Sequence, residues 1–314
     1  MRNVKFFERL RVLLSDIFNL RSDFRLYSEM MNELNLARND WAFLLNAHLG
    51  DTYAFASLLC NFRKENPEGN VYVIGRPNFK PIFEMFDCSV IYVEREQLPS
   101  LTFNNILRTF YRFSGGKILP GRCSRIIPSR KRNMLEEFST LVFHSSSYKP
   151  LRPKILALGD KDCILKKYSA ISPGKTVIFS ASSITVGPLP YDFWFHFVCL
   201  MKEKGYIVIQ SVFEKEKEID GAEHVNFDIR DLPMAVSLSG FFVSVRSGLC
   251  DLISGSNCRK VIIYNTSWEK RIYSLENYDY GENANLTELV LEYNREETVE
   301  DLAAYIVMII IKGD

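Results

Sequence analysis

The chain has 314 residues, 47% of them hydrophobic and 25% charged, enough to fill two cores of ordinary domain size. Its 39 basic and 38 acidic residues almost cancel, which excludes a general electrostatic attraction to nucleic acid. Seven scattered cysteines, with no C-x-x-C pair and no histidine at ligand spacing, argue against a disulfide framework and a zinc site, so reduced thiols and no metal are expected.

At the N-terminus Arg2, Lys5, Arg9 and Arg11 interrupt the apolar run, so no signal-peptide core is expected and the cytoplasm is the default compartment. Phe6, Leu10, Leu13, Leu14, Ile17 and Phe18 recur at helical spacing, and Phe24, Tyr27, Met30, Met31 and Leu34 repeat the pattern, predicting two amphipathic helices. The first is basic on its polar side, which leaves two readings open: packing on its own domain, or peripheral contact with an anionic membrane face.

A strand over 41–47, a helix over 52–64, a strand over 71–74, a helix over 79–86 and a strand over 89–93 follow. Alternation of this kind favours a parallel sheet. Between 115 and 132 the pattern breaks into a loop carrying Lys117, Arg122, Arg125, Arg130, Lys131 and Arg132 with no acid among them. It reads either as a guide for an anionic acceptor or as a solvated insertion. Residues 141–144 read as a strand and 160–169 as a helix. At Ser172-Pro173-Gly174-Lys175 a second series begins, and the domain boundary is expected there. Strands over 176–180, 207–211, 240–245 and 260–264 alternate with helices over 191–204, 232–238 and 249–254. The last helix, 299–311, is apolar on all sides and predicts deep packing. The expected fold class is α/β, with two doubly wound Rossmann-like domains.

In open parallel sheets ligands collect at the carboxyl ends of the strands, where loops lead into helix N-termini. Three loops have that position. In 245–251 a buried strand delivers Arg246-Ser247-Gly248 to a helix start. Gly248 lets backbone approach a ligand, Ser247 offers a hydroxyl to a cap or a phosphate, and Arg246 offers a planar fork that matches phosphate. Asp251 accepts either from a sugar hydroxyl or from Arg246. The bland alternative is a Ser-capped helix with a surface arginine. In 180–185 the hydroxyls of Ser182 and Ser183 can meet a diphosphate. In 48–52, Asp51 is placed to take a proton from an acceptor hydroxyl, with His48 as the rival base and a helix N-cap as the structural alternative. Asp160-Lys161-Asp162 has D-x-D spacing, but it opens a helix and reads as a cap rather than a metal site.

Leu49-Gly50-Asp51-Thr52, Asn66-Pro67 and the strand at 71–74 resemble the opening loop, helix and second strand of the bacterial lipopolysaccharide heptosyltransferase family. Val177-Ile178-Phe179-Ser180-Ala181-Ser182, Gly205, and residues 232–245 followed by Ser247-Gly248 resemble that family's donor-binding domain. The whole-chain plan is similar to the GT-B class of glycosyltransferases. Where the family has Asp-Ser-Gly and then His, this chain has Arg246-Ser247-Gly248 and then Asp251. Arg246 would supply the charge of a lysine that the family carries near the position of Gly187.

The resemblance implies residues 1–172 as an acceptor-side domain and 173–314 as a domain binding a nucleotide-sugar donor, the two facing a cleft. The helix at 299–311 would pack back on the first domain. It further implies an inverting, metal-independent transferase without a cofactor, acting on a glycan or lipid-linked acceptor in bacterial surface polysaccharide synthesis. Asp51 would be the base, and Ser182, Ser183, Arg246, Ser247, Gly248 and Asp251 would bind the donor. An epimerase or phosphorylase on the same fold, and a catalytically silent subunit of a polysaccharide-assembly complex, stay open as alternatives.

Overall fold

The computed structural model describes residues 21–30, 32–37, 39–86, 88–99, 118–120, 134–143, 145, 148–151, 160–183, 186–213, 216–278, 280, 285–291 and 298–312. The expected helix at 6–18 and the six basic residues of the 115–132 loop lie outside them. Contacts divide the chain into two units, one comprising Met1–Ile126 with Glu136–Lys149 and the other Ile127–Leu135 with Pro150–Asp314.

In the first unit, residues 21–30 and 32–34 are helical (α1). Met30 packs with Ala42, Leu44 and Ile74, and Tyr27 and Leu34 flank the cluster, as the helical spacing predicts. Strand β1 (Trp41–Leu44) leads to α2 (Leu49–Glu65), β2 (Val71–Gly75), a 3-10 turn (Pro77–Phe79), α3 (Lys80–Glu84) and β3 (Ile91–Glu94). The ladder of β1 ends earlier than expected because, after Leu45 N–H bonds Ile74 at 2.9 Å, Asn46 turns its amide to the carbonyl of Pro99, 2.7 Å away.

The fourth strand is β4 (Ile118–Pro120), inside the segment expected to be a loop, and it pairs parallel with β1. The strand expected over 141–144 does not form at its described residues: Leu141 and Val142 close helix α4 (Met134–Val142). Leu135, Ser139 and Val142 are buried at helical spacing, a period that the short apolar run 141–143 alone does not reveal. Phe143, just past α4, stacks on Phe55 with centroids 5.2 Å apart and so fills the face of α2 that covers the sheet. The sheet order is β3-β2-β1-β4, all parallel.

In the second unit α5 (Lys161–Lys167) precedes β5 (Thr176–Ser180), α6 (Tyr191–Glu203), β6 (Ile207–Ser211), β7 (Glu223–Val225), α7 (Leu232–Ser239), β8 (Gly240–Val245), α8 (Gly248–Leu252), β9 (Arg259–Tyr264), α9 (Ser267–Tyr273), β10 (Leu286–Val290) and α10 (Val299–Lys312). The six strands lie in the order β10-β9-β8-β5-β6-β7, again all parallel. Alternate residues of a strand face opposite layers. Val177, Phe179, Val243, Val245, Val261 and Ile263 accordingly meet α6 and α10 in one core.

Helix α10 buries Leu302, Ala303, Ile306, Val307, Ile309 and Ile310 but leaves Tyr305, Met308 and Ile311 exposed. The deep packing expected of it is therefore one-sided, set by its seat against α6. Asp160 caps α5 by accepting from Asp162 N–H at 3.0 Å, the capping reading of the D-x-D sequence.

Candidate functional site

In the six-stranded sheet, the chain adds β6 and β7 on one side of β5 and then returns to lay β8, β9 and β10 on the other. The direction of winding reverses between β5 and β8, so their carboxyl ends feed loops that part from a common point, where open α/β sheets bind ligands. Two of the three loops singled out in the sequence leave from here.

They meet through backbone and hydroxyl. Ser183 Oγ donates to the carbonyl of Arg246 at 2.6 Å and accepts from Val186 N–H at 3.1 Å. A little further on, Asn265 at the end of β9 donates its amide to the carbonyl of Gly187 at 2.7 Å. A Cβ on Gly187 would sit 3.0 Å from that amide nitrogen, so the close approach favours glycine there. The described residues of the 181–187 loop are thus pinned at both ends across β8 and β9. Ser182, next to the Ser183 pin and half-buried, carries a second hydroxyl on the same loop.

Ser247 has extended backbone, φ −145° and ψ 173°, and occupies the N-cap position of α8. Its own N–H donates to the thiol of Cys250 at 3.4 Å. Gly248 is the first residue of the helix. Nearby, Arg246 turns inward: only 4% of it is exposed, and only 1% of Asp251. Its Nη1 and Nη2 donate to the two carboxylate oxygens of Asp251 at 2.7 and 2.8 Å, and Nε donates to the carbonyl of Tyr273 at 2.6 Å. Burial, the largest single influence, pulls the guanidinium toward its neutral form, but Asp251, with Tyr278, Cys250 and Tyr264 adding to it, holds the pKa well above the ordinary value. Burial also raises the Cys250 thiol, which therefore stays protonated.

In the four-stranded sheet the reversal falls between β1 and β4. His48 is exposed and stands at the N-cap of α2 with extended backbone. Its carbonyl accepts from Thr52 N–H and Oγ1, both at 2.9 Å. Because α2 begins at Leu49, Asp51 is not its cap but lies in the first turn, half-buried. A carboxylate there is favoured by the partial positive charge of the helix start.

Among solved structures, the E. coli ADP-heptose lipopolysaccharide heptosyltransferase II aligns with 87% of this chain and 98% of its own at a TM-score of 0.57 and 10% identity. A glycosyl transferase family 9 protein from Veillonella parvula aligns over 88% and 90% at 0.51 and 11%. The E. coli heptosyltransferase WaaC with ADP aligns over 85% and 99% at 0.51 and 12%. The chain shares the fold of these glycosyltransferases. No protein-family model matches the sequence, and no curated protein does so either.

On this glycosyltransferase fold several residues that the sequence reading does not single out contact the Arg246–Asp251 pair. Tyr280 Oη bonds Asp251 Oδ1 at 3.2 Å, the Tyr278 ring lies 5.2 Å from the Arg246 guanidinium carbon, and Tyr273 supplies a carbonyl. The clustering of tyrosines at 273, 278 and 280 was visible in the sequence. Their partner was not, since one contact runs through main chain and another through a ring face. Tyr264 adds to this layer by donating to Glu288, which also accepts Leu275 N–H at 2.9 Å.

Proposed function

We propose that this protein is a glycosyltransferase that moves a sugar from a nucleotide-sugar donor to a glycan or lipid-linked acceptor in bacterial surface polysaccharide synthesis. The observation that carries the reading is the hydrogen bond from Ser183 to the Arg246 carbonyl, which joins two hydroxyl-bearing loops where the winding of the six-stranded sheet reverses. The GT-B plan of two Rossmann-like domains is part of the proposal, with the unit of β1–β4 serving the acceptor and the unit of β5–β10 the donor; the second unit takes in residues from Pro150, ahead of the boundary expected at 172. A donor diphosphate would lie against Ser182, Ser183, Ser247 and Gly248, with Arg246 and Asp251 in the same loop. Fixed hydroxyl and N–H dipoles stabilise the charge that develops on the departing phosphate. The similar structures include an ADP-heptose heptosyltransferase and a heptosyltransferase with ADP, which supports a nucleoside diphosphate here.

In the proposed step Asp51 takes the proton of the acceptor hydroxyl, with His48 as the rival base. The acceptor oxygen forms a bond to the anomeric carbon from the face opposite the leaving group. The bond from that carbon to the phosphate oxygen breaks, the nucleoside diphosphate leaves with the electron pair, and configuration inverts without metal or cofactor. No described helix is long and apolar enough to cross a membrane. A cytoplasmic site of action, with peripheral contact at the membrane's inner face for a lipid-linked acceptor, belongs to the same reading.

Asp51→Asn tests the step. Turnover of a radiolabelled nucleotide sugar with a membrane-glycolipid extract should fall by about 10²–10⁴-fold, the range a positioned base contributes, while calorimetric affinity for the nucleoside diphosphate stays at the wild-type value. Unchanged turnover with Asp51→Asn and loss with His48→Ala would transfer the role to His48.

A further inference from the structure

An arginine beside a diphosphate loop invites the reading that it grips phosphate, but the geometry of this one points elsewhere. A guanidinium has five N–H donors. Here Nε serves Tyr273 O, Nη1 serves both Ser247 O and Asp251 Oδ2, and Nη2 serves Asp251 Oδ1. Its cationic face lies toward the ring of Tyr278. To reach a ligand the side chain would have to leave a carboxylate that is itself buried, and a buried charge stripped of its partner is strongly destabilising. The main chain of the same residue has other partners: its carbonyl receives Ser183 Oγ, and its N–H donates to the carbonyl of Ile263 at 3.0 Å.

We propose that Arg246 and Asp251 are positioning residues: the buried pair ties the 246–251 turn to Tyr273 and Tyr280, and through the Arg246 carbonyl sets the 181–187 loop, without either side chain touching the ligand. The proposal deepens the nucleotide-sugar reading and rests on it for the ligand. It makes the segment after α9 a part of the site's scaffold. It also predicts that the two side chains fail together, since removing either end undoes the same tie.

The test measures calorimetric binding of ADP, UDP and GDP to the full chain as wild type, Arg246→Met, Asp251→Asn and the double variant. A second measurement follows hydrogen exchange of peptides spanning 181–187 and 246–252. Both single variants should lose affinity by a similar factor, about tenfold or more if one charge-assisted contact's worth of order is lost, and the double should lose no more than either single. Exchange in both peptides should rise in each variant. Tyr280→Phe removes one hydroxyl from Asp251 and leaves the ion pair in place. It guards against loss of fold and should weaken binding by less than either ion-pair variant, since the bond it removes is long at 3.2 Å.

If Arg246 were a direct ligand, Asp251→Asn would free it, and affinity would hold or rise while Arg246→Met lost it; that outcome overturns the proposal. So would unchanged exchange in the 181–187 peptide. If wild type binds none of the three nucleotides, the nucleotide-sugar reading fails by itself, and the exchange data still decide whether the pair sets both loops.

Discussion

Ser183 shows how little chemistry separates a ligand-binding hydroxyl from a structural one. Its oxygen both donates and accepts within the protein, so its first role is to hold the loop on which Ser182 sits. Replacing it with alanine removes two hydrogen bonds at a half-buried site, and the expected loss is about 1–2 kcal/mol of unfolding free energy, measured by urea denaturation. A change within error would mean that the loop is held by Asn265 and Gly187 alone. The sequence made the strand-end positions of Ser182, Ser183, Arg246, Ser247, Gly248 and Asp251 legible, because strand period and helix start locate a loop. It did not disclose which side chains turn inward. Of the two readings of Asp251 that the residues allowed, the structure realises pairing with Arg246, and nothing local in Arg246-Ser247-Gly248 could have decided it. The partners on Tyr273 and Tyr280 lie more than twenty residues away.

Among the elements, the strands of the second sheet were the most readable, since Thr176–Ser180, Ile207–Ser211 and Gly240–Val245 are short, apolar and bounded by turn residues. The edge strands escaped notice for the complementary reason. Glu223–Val225 is three residues long and mostly exposed, so it has no buried face to set a period. Leu286–Val290 carries Glu288 inward, where Tyr264 and the Leu275 N–H satisfy it, which masks the alternation.

The start of β8 offers a quantitative check. Gly240 ends α7 in the left-handed region at φ +96°, and a Cβ there would lie 3.1 Å from the backbone of Gly174. Gly205, at φ +83°, has nothing within 4 Å. Gly205→Ala should therefore cost only the left-handed conformation, about 1–2 kcal/mol, and Gly240→Ala should cost more, because backbone must also move. Equal midpoints of thermal unfolding for the two variants would contradict this. At the other end of the core, Ile306 on α10 is fully buried against the sheet. Ile306→Ala should lower stability by about 2–5 kcal/mol, whereas Met308→Ala on the exposed face should change it by less than about 0.5 kcal/mol.

Both sheets of the molecule are wound alike. In each, the first strand lies between the second and the fourth, and every pairing is parallel. That recurrence was the most predictable feature of the whole chain, because helices between consecutive strands leave parallel pairing as the ready solution. The fourth strand of the first sheet was missed, since it lies in a segment whose basic and glycine-rich composition reads as loop. Ligand position follows from winding rather than from any single residue. For that reason the place where the strand ends converge matters more than the identity of one charged group.

In the proposed function the carboxyl edge between β5 and β8 holds a nucleoside diphosphate. The most direct measurement is hydrogen exchange across the full chain with and without saturating ADP, UDP or GDP. At least one nucleotide should protect peptides covering 181–187 and 246–252 while the opposite edge, at the start of β5 and β9, is unchanged. Absence of binding by all three, or protection confined to other segments, would contradict it.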